Sequence, residues 1–186
     1  MVGSFFRVSR VSSLVASRGD LGKATIKGKK DTYLALNEIV IHSGAIAQLI
    51  QFDLYINDSF VYRQNADGLI VSSPSGSTAY SLSGGGPIVL PSVKAITLLP
   101  MFPHSLNTRP LMVNEDSSIL VVPSKKSFIS YDSHKMSGLK KGEEILIQKT
   151  KQELNLVHPL DHDFYSACRT KLGWSLGVPN KNDTSN

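Results

Sequence analysis

Phe52-Asp53-Leu54-Tyr55-Ile56-Asn57-Asp58-Ser59-Phe60-Val61-Tyr62 decides the fold class. Phe52, Leu54 and Ile56 alternate with Asp53, Tyr55 and Asn57, a period of two that lays one face on a core and turns the other to solvent. Asn57-Asp58-Ser59 then reverses the chain into Phe60-Val61-Tyr62, which predicts a hairpin. Further short strands are predicted from Gly68 to Ser73, Ala95 to Leu99, Ser118 to Val122, Ser127 to Tyr131, Glu144 to Gln148 and Leu154 to His158. Turn residues such as Pro123 and Gly142 separate several of them. The pattern favours an antiparallel β-sandwich, mainly β, over alternating strands and helices.

Two stretches depart from it. Ser77 to Ser83 predicts a short helix that must stop at Gly84-Gly85-Gly86-Pro87, because glycine and proline are poor helix interiors. Asp161 to Leu172 predicts a C-terminal helix, with acids at its start, Arg169 and Lys171 in its last turn and Gly173 as its stop.

With 186 residues, 41% of them hydrophobic, the chain can bury one sizeable core. No segment approaches the roughly 20 apolar residues of a membrane helix, so no membrane is expected. The net charge of +5 would suit an acidic partner. Yet Lys125-Lys126, Lys140-Lys141 and Lys149 to Lys151 lie apart and without interleaved aromatics, so nucleic acid is not expected. The single Cys168 excludes an internal disulfide and a cysteine-based zinc site, and fits a reducing, cytoplasmic setting. The organisation expected is an unplaced segment 1–22, one domain over 23–176 and a polar tail 177–186. Within the first segment Arg7, Arg10 and Arg18 sit among serines and apolar residues, with no acid before Asp20. That composition is similar to a transit peptide, and a frayed terminus or broken start is the preferred alternative.

Chemistry concentrates in Asp67-Gly68-Leu-Ile-Val-Ser-Ser-Pro-Ser75-Gly76-Ser77-Thr78-Ala79-Tyr80-Ser81-Leu82-Ser83. A strand runs into a hydroxyl-rich turn and then a helix N-terminus, whose unpaired amides suit a polar or anionic ligand. Ser75, Ser77 and Thr78 could supply hydroxyls, Gly76 could let a ligand approach the backbone, and Tyr80 could offer a ring to a base. The alternative is an ordinary capped helix after a tight turn. No Gly-Lys-Ser/Thr follows the glycines and the triple glycine does not open a helix, so neither a Walker loop nor a Rossmann fingerprint is present. Asn37-Glu38 lies in the strand-like run Leu34 to Ile41, where a carboxylate and an amide need partners, either neighbours or ligand hydroxyls, unless solvent at a strand end satisfies them. Asp67 could likewise hold a sugar hydroxyl or cap a turn.

These residues carry a resemblance. Ala35-Leu-Asn37-Glu38-Ile-Val-Ile-His42, Ala66-Asp67-Gly68 through Ser83, Leu99-Pro-Met-Phe102-Pro-His104-Ser-Leu-Asn-Thr-Arg109-Pro110, Leu156-Val-His158-Pro159 and Lys171-Leu-Gly-Trp174 together resemble the NAD kinase family, in family order. The resemblance implies a C-terminal β-rich domain that holds NAD against an N-terminal domain bearing Gly-Gly-Asp-Gly. The aspartate of that motif would deprotonate the 2′-hydroxyl of the adenosine ribose, which attacks the γ-phosphoryl of ATP, with Mg²⁺, or polyphosphate. Carried over by motif, Asn37 and Glu38 would contact NAD, and Asp67 would hold a ribose. Ser75 would bind NAD, the run Thr78, Ala79, Tyr80, Ser81, Leu82 and Ser83 would line the adenine and ribose pocket, and Phe102 would contribute backbone contacts.

Departures are visible. Asn65 stands where some relatives carry arginine, removing a charge contact to phosphate. Gln48 occupies a variable ligand-facing position, and His134 replaces the usual glutamine. No Gly-Gly-Asp-Gly occurs among the 186 residues, so the chain is expected to bind NAD yet to be inactive alone. The family also implies a homo-oligomer, and a separate N-terminal kinase domain as partner. The rival readings are a non-catalytic nucleotide-binding or assembly module and a fragment of a split gene.

Overall fold

A computed structural model describes residues 14–30, 32–45, 48–105, 107–133 and 135–174. The elements follow one another as β1 (Leu14–Ile26), β2 (Thr32–Ala35), β3 (Glu38–His42), β4 (Ile50–Ile56), β5 (Ser59–Ala66), β6 (Gly68–Ser72), a 3₁₀ turn (Ser75–Thr78), α1 (Tyr80–Ser83), β7 (Ala95–Met101), β8 (Leu111–Asn114), β9 (Ile119–Pro123), β10 (Ser127–Tyr131), β11 (Lys135–Leu139), β12 (Ile145–Pro159) and α2 (Phe164–Leu172). By contacts residues 17–156 form one unit, and residues 14–16 with 157–174 belong to a second.

The larger unit is the expected sandwich. One six-stranded sheet runs β2-β1-β12-β9-β4-β5 and the other β11-β10-β3-β6-β7-β8. Residues from both sheets, among them Ile39, Ile41, Phe52, Leu54, Leu69, Val71, Leu98, Ile119, Ile129 and Ile147, form one buried cluster. Each such side chain, fully buried, contributes about 1.5–3 kcal/mol. The alternation read from Phe52, Leu54 and Ile56 is therefore the alternation of this core. Val40, Ile70 and Leu99, on the other face of the second sheet, form a smaller cluster. The glycine run after α1 lies against it, and a Cβ at Gly84 would come within 2.8 Å of Leu99 Cδ2.

The hairpin closes as expected, with Ile56 opposite Ser59. Asn57 and Asp58 both take left-handed backbone, φ 48° and 63°, the conformation a two-residue loop needs to match strand twist. Left-handed backbone costs a side-chain-bearing residue about 1–2 kcal/mol, and glycine's extra entropy returns part of that. Asp58→Gly is accordingly expected to raise stability by about 0.5 kcal/mol, read as a higher urea midpoint. A lower midpoint would contradict the turn assignment.

Several boundaries differ from the sequence reading. The two strands expected at 144–148 and 154–158 are one, β12, because no turn residue interrupts them. The helix expected at 77–83 splits into the 3₁₀ turn and the single turn α1, since Ala79 at φ −103°, ψ −129° leaves helical space between them. β1 begins at Leu14, inside the segment left unplaced. The apolar run 34–41 is broken between β2 and β3, which belong to different sheets. In the smaller unit α2 starts at Phe164, three residues later than expected, because the Asp163 side chain accepts from the Tyr165 and Ser166 amides and caps it. Gly173, left-handed at φ 69°, ends it as expected.

Candidate functional site

The break between β2 and β3 builds the site. Where a chain leaves one sheet for another, its backbone groups lose ladder partners and must find new ones. Here every polar backbone group of Leu36, Asn37 and Glu38 does. The Asp132 carboxylate accepts from all three amides, through Oδ2 from Leu36 at 2.7 Å and through Oδ1 from Asn37 at 2.7 Å and Glu38 at 3.1 Å. Ser73 Oγ donates to the Leu36 carbonyl at 2.6 Å, the Ser73 amide to the Asn37 carbonyl at 2.9 Å and the Asp132 amide to the Glu38 carbonyl at 3.1 Å. Neither Asp132 nor Ser73 was among the expected site residues. Their partners are 94–96 and 37 residues away in sequence, a distance that no local pattern encodes.

The backbone is thus fully engaged while the side chains are not. Asn37 is half-buried, and its side-chain amide has no hydrogen-bond partner among the described residues. Glu38 is 4% exposed, and its Oε2 is buried without a partner. Burial, and then the nearby Asp132 charge, push the Glu38 carboxyl above the usual range, against the pull of a hydrogen bond from the Tyr80 amide. A small solvent-open cleft adjoins the pair. Ala35, Ile39, Val71 and Ile96 give it apolar walls, and it also takes in Glu115 and Lys149, ion-paired at 2.8 Å.

The hydroxyl-rich turn reaches the same end of the sheet, since Ser72 pairs with Glu38. Two expectations about it need correction. Gly76 does not leave room for a ligand, because the Asn37 backbone fills that space: an added Cβ would lie 2.7 Å from Asn37 Cα and closer still to its carbonyl. Ser77 does not offer a free hydroxyl either, being fully buried with its Oγ accepting from the Val89 amide at 3.0 Å. Ser75 is half-buried, while Thr78 and Ser83 are exposed. Ala79 and Leu82 are half-buried, and Tyr80 keeps 41% exposure. Ser81 is buried with its Oγ unpartnered, a second orphaned polar atom one residue from the amide that meets Glu38.

Other expected residues sit elsewhere. Gly68 pairs with His42 and Met101, so it marks the opposite end of β3, β6 and β7 from Glu38 and Ser72. Five residues of strand put that end about 13 Å away. Asp67, whose amide donates to the Met101 carbonyl, and Asn65, whose carbonyl accepts from the His104 amide, lie there. So does Phe102, 75% exposed and left-handed at φ 43°. Gln48, exposed, precedes β4, whose first residue Ile50 pairs with Ala66 at the same end. His134 lies outside the described residues. Among the described residues no group of three or more His, Cys, Asp or Glu could hold a metal ion. Among the described residues no helix is long and apolar enough to cross a membrane.

Comparison with known proteins gives this arrangement its relatives. The NAD kinase of Teredinibacter turnerae is 46% identical over 153 residues, covering 80% of this chain and 52% of the relative. That of Salmonella newport is 49% identical over 144 residues, covering 76% and 49%. The chain thus spans about half the length of the curated relatives it matches. Among solved structures, yeast NADH kinase complexed with NADH superposes with a TM-score of 0.78 at 27% identity, over 89% of this chain and 52% of that one. An NAD kinase from Archaeoglobus fulgidus in complex with ATP gives 0.70 at 27% identity, over 84% and 61%. With the ATP-NAD kinase C-terminal domain profile matching residues 36–159, from the Asn37-Glu38 break to the end of β12, the chain belongs to the NAD kinase family, as its C-terminal domain.

Proposed function

We infer that this region holds NAD for phosphorylation to NADP, with ATP or polyphosphate as donor and Mg²⁺ accompanying ATP. The observation that carries the reading is Glu38: a buried carboxylate with one oxygen unpartnered, beside an Asn37 amide with open capacity. Buried polar groups are almost always bonded, and the hydroxyls of a ribose would complete this pair. Asn37, Glu38, Ser75, Thr78, Ala79, Tyr80, Ser81, Leu82 and Ser83 then form one binding face, with the Tyr80 ring available to a base.

Binding and orientation are what these residues can supply. In the transfer the ribose 2′-oxygen bonds to the γ-phosphorus, the bond from that phosphorus to the bridging oxygen breaks, ADP leaves, and the hydroxyl proton passes to a base. The base of the family is the aspartate of Gly-Gly-Asp-Gly, a motif not found among these 186 residues. General-base assistance is typically worth about 10² to 10⁴ in rate, and donor positioning adds to it. The reading therefore assigns proton removal to a domain outside these residues. Mixing the purified chain with a separately expressed Gly-Gly-Asp-Gly domain, NAD, ATP and Mg²⁺ is expected to yield NADP, with little from either alone. Full turnover by this chain alone would overturn that division. NAD binding without turnover in any mixture would favour a non-catalytic nucleotide-binding module.

A homo-oligomer in the cytoplasm completes the proposal. Its support is the distance between the two groups of family-motif residues. Asn65, Asp67, the exposed Phe102 and Gln48 lie too far from Glu38 in one chain to share its ligand's ribose, and would serve by facing a second copy. A size measurement giving only monomer at assay concentration would count against it.

A further inference from the structure

We propose that Asp132 is the positioning residue of the dinucleotide site: by gripping the three consecutive amides of Leu36, Asn37 and Glu38 it sets the direction in which the Asn37 and Glu38 side chains meet their ligand. The proposal rests on the NAD reading above and adds to it a residue that acts through Asn37 and Glu38.

The chemistry of the grip is specific to a carboxylate. Its two oxygens serve three donors, Oδ1 taking the Asn37 and Glu38 amides and Oδ2 the Leu36 amide. An asparagine of the same shape would turn an NH₂ toward one of these amides, donor against donor. A serine would reach at most one of them. β10 pairs with β3, Tyr131 opposite Ile39, so the hairpin turn that follows Tyr131 arrives beside Glu38. There Asp132 and Ser133 are both left-handed, φ 44° and 59°, a conformation that residues with side chains seldom adopt.

The charge itself argues for more than a turn. Asp132 stands close enough to Glu38 to oppose ionisation of that buried carboxyl. A strand break could be satisfied by neutral acceptors, with no second acid brought to the first. What the charged clamp adds is rigidity at a segment whose side chains remain open. Ser73 and Gly76 brace the same segment from its carbonyl side.

Two measurements test the proposal. Amide hydrogen exchange, without NAD, is compared for wild type and Asp132→Asn. Protection at Leu36, Asn37 and Glu38 is expected to fall by about tenfold or more, while the core amides of β3 and β6 keep theirs. Unchanged exchange at the three amides overturns the clamp. NAD affinity is then measured for wild type, D132N, E38A and the double variant. D132N is expected to weaken binding about tenfold, and to weaken it by less than about twofold once Glu38 is gone, the non-additivity of a residue that acts through another. Additive losses indicate a general structural effect and overturn the positioning role, as does unchanged affinity in D132N. Should D132N fail to melt cooperatively, Asp132→Glu, which keeps the charge on a longer arm, takes its place in the same cycle. Failure of the folded wild type to bind NAD at all overturns the dinucleotide reading itself, an outcome distinct from wild-type binding that D132N leaves intact.

Discussion

Replacing Gly76 with alanine is expected to cost about 3 kcal/mol of stability and to abolish NAD binding. The new methyl would meet the carbonyl and Cα of Asn37, all backbone atoms, with no flexible side chain to yield. Relief requires the 3₁₀ turn to move away from Asn37, or Asn37 to leave the Asp132 clamp. Either shift disturbs the Ser73 hydrogen bonds that tie the two segments together. For a chain of this size each kcal/mol lowers the melting midpoint by about 2–4 °C, so a drop of about 6–12 °C should appear in a thermal scan. An unchanged midpoint would show that the turn is not seated on Asn37.

The second large effect separates affinity from stability. Glu38→Gln should weaken NAD binding by about tenfold or more, since a hydrogen bond to a charged group contributes about 1.5–3 kcal/mol. The same change should stabilise the unliganded protein at neutral pH. Burial, and after it the Asp132 charge, raise the Glu38 carboxyl in the folded state, so folding favours its protonated form. Between the ordinary glutamate value, about 4.3, and the raised one, the folded state holds the proton more often than the unfolded state does. Stability therefore falls as pH rises through that window, and the loss is complete above the raised value. Wild type and E38Q should have similar relative stability below about pH 4 and diverge above it, E38Q the more stable. Urea midpoints measured across pH read this directly. A wild type that gains on E38Q as pH rises would mean that the carboxylate is satisfied inside the chain and has no need of a ligand.

How much of this was legible depends on whether the cause was local. Phe52 to Tyr62 carried both its alternation and its turn, and Ser127–Tyr131 is a strand with the expected bounds. The C-terminal helix was legible through Gly173, although its first residue was set by a hydrogen bond of the Asp163 side chain. The break at Leu36-Asn37 was not legible, because Leu34 to Ile41 reads as one apolar strand and only the two-sheet topology shows where it divides. Gly76 looked like an opening for a ligand, yet its neighbour is Asn37, 39 positions earlier in the sequence. The motif residues came as one group by resemblance. The register of β3, β6 and β7 separates them into two, which composition and spacing could not do.

Central to the proposed function are the open side chains of Asn37 and Glu38. Calorimetric titration of NAD into the purified chain, beside Glu38→Ala as its control, tests that most directly. Saturable binding that weakens about tenfold or more in the variant is the predicted result. A folded wild type that takes up no NAD at millimolar concentration, or binds it as E38A does, would contradict it.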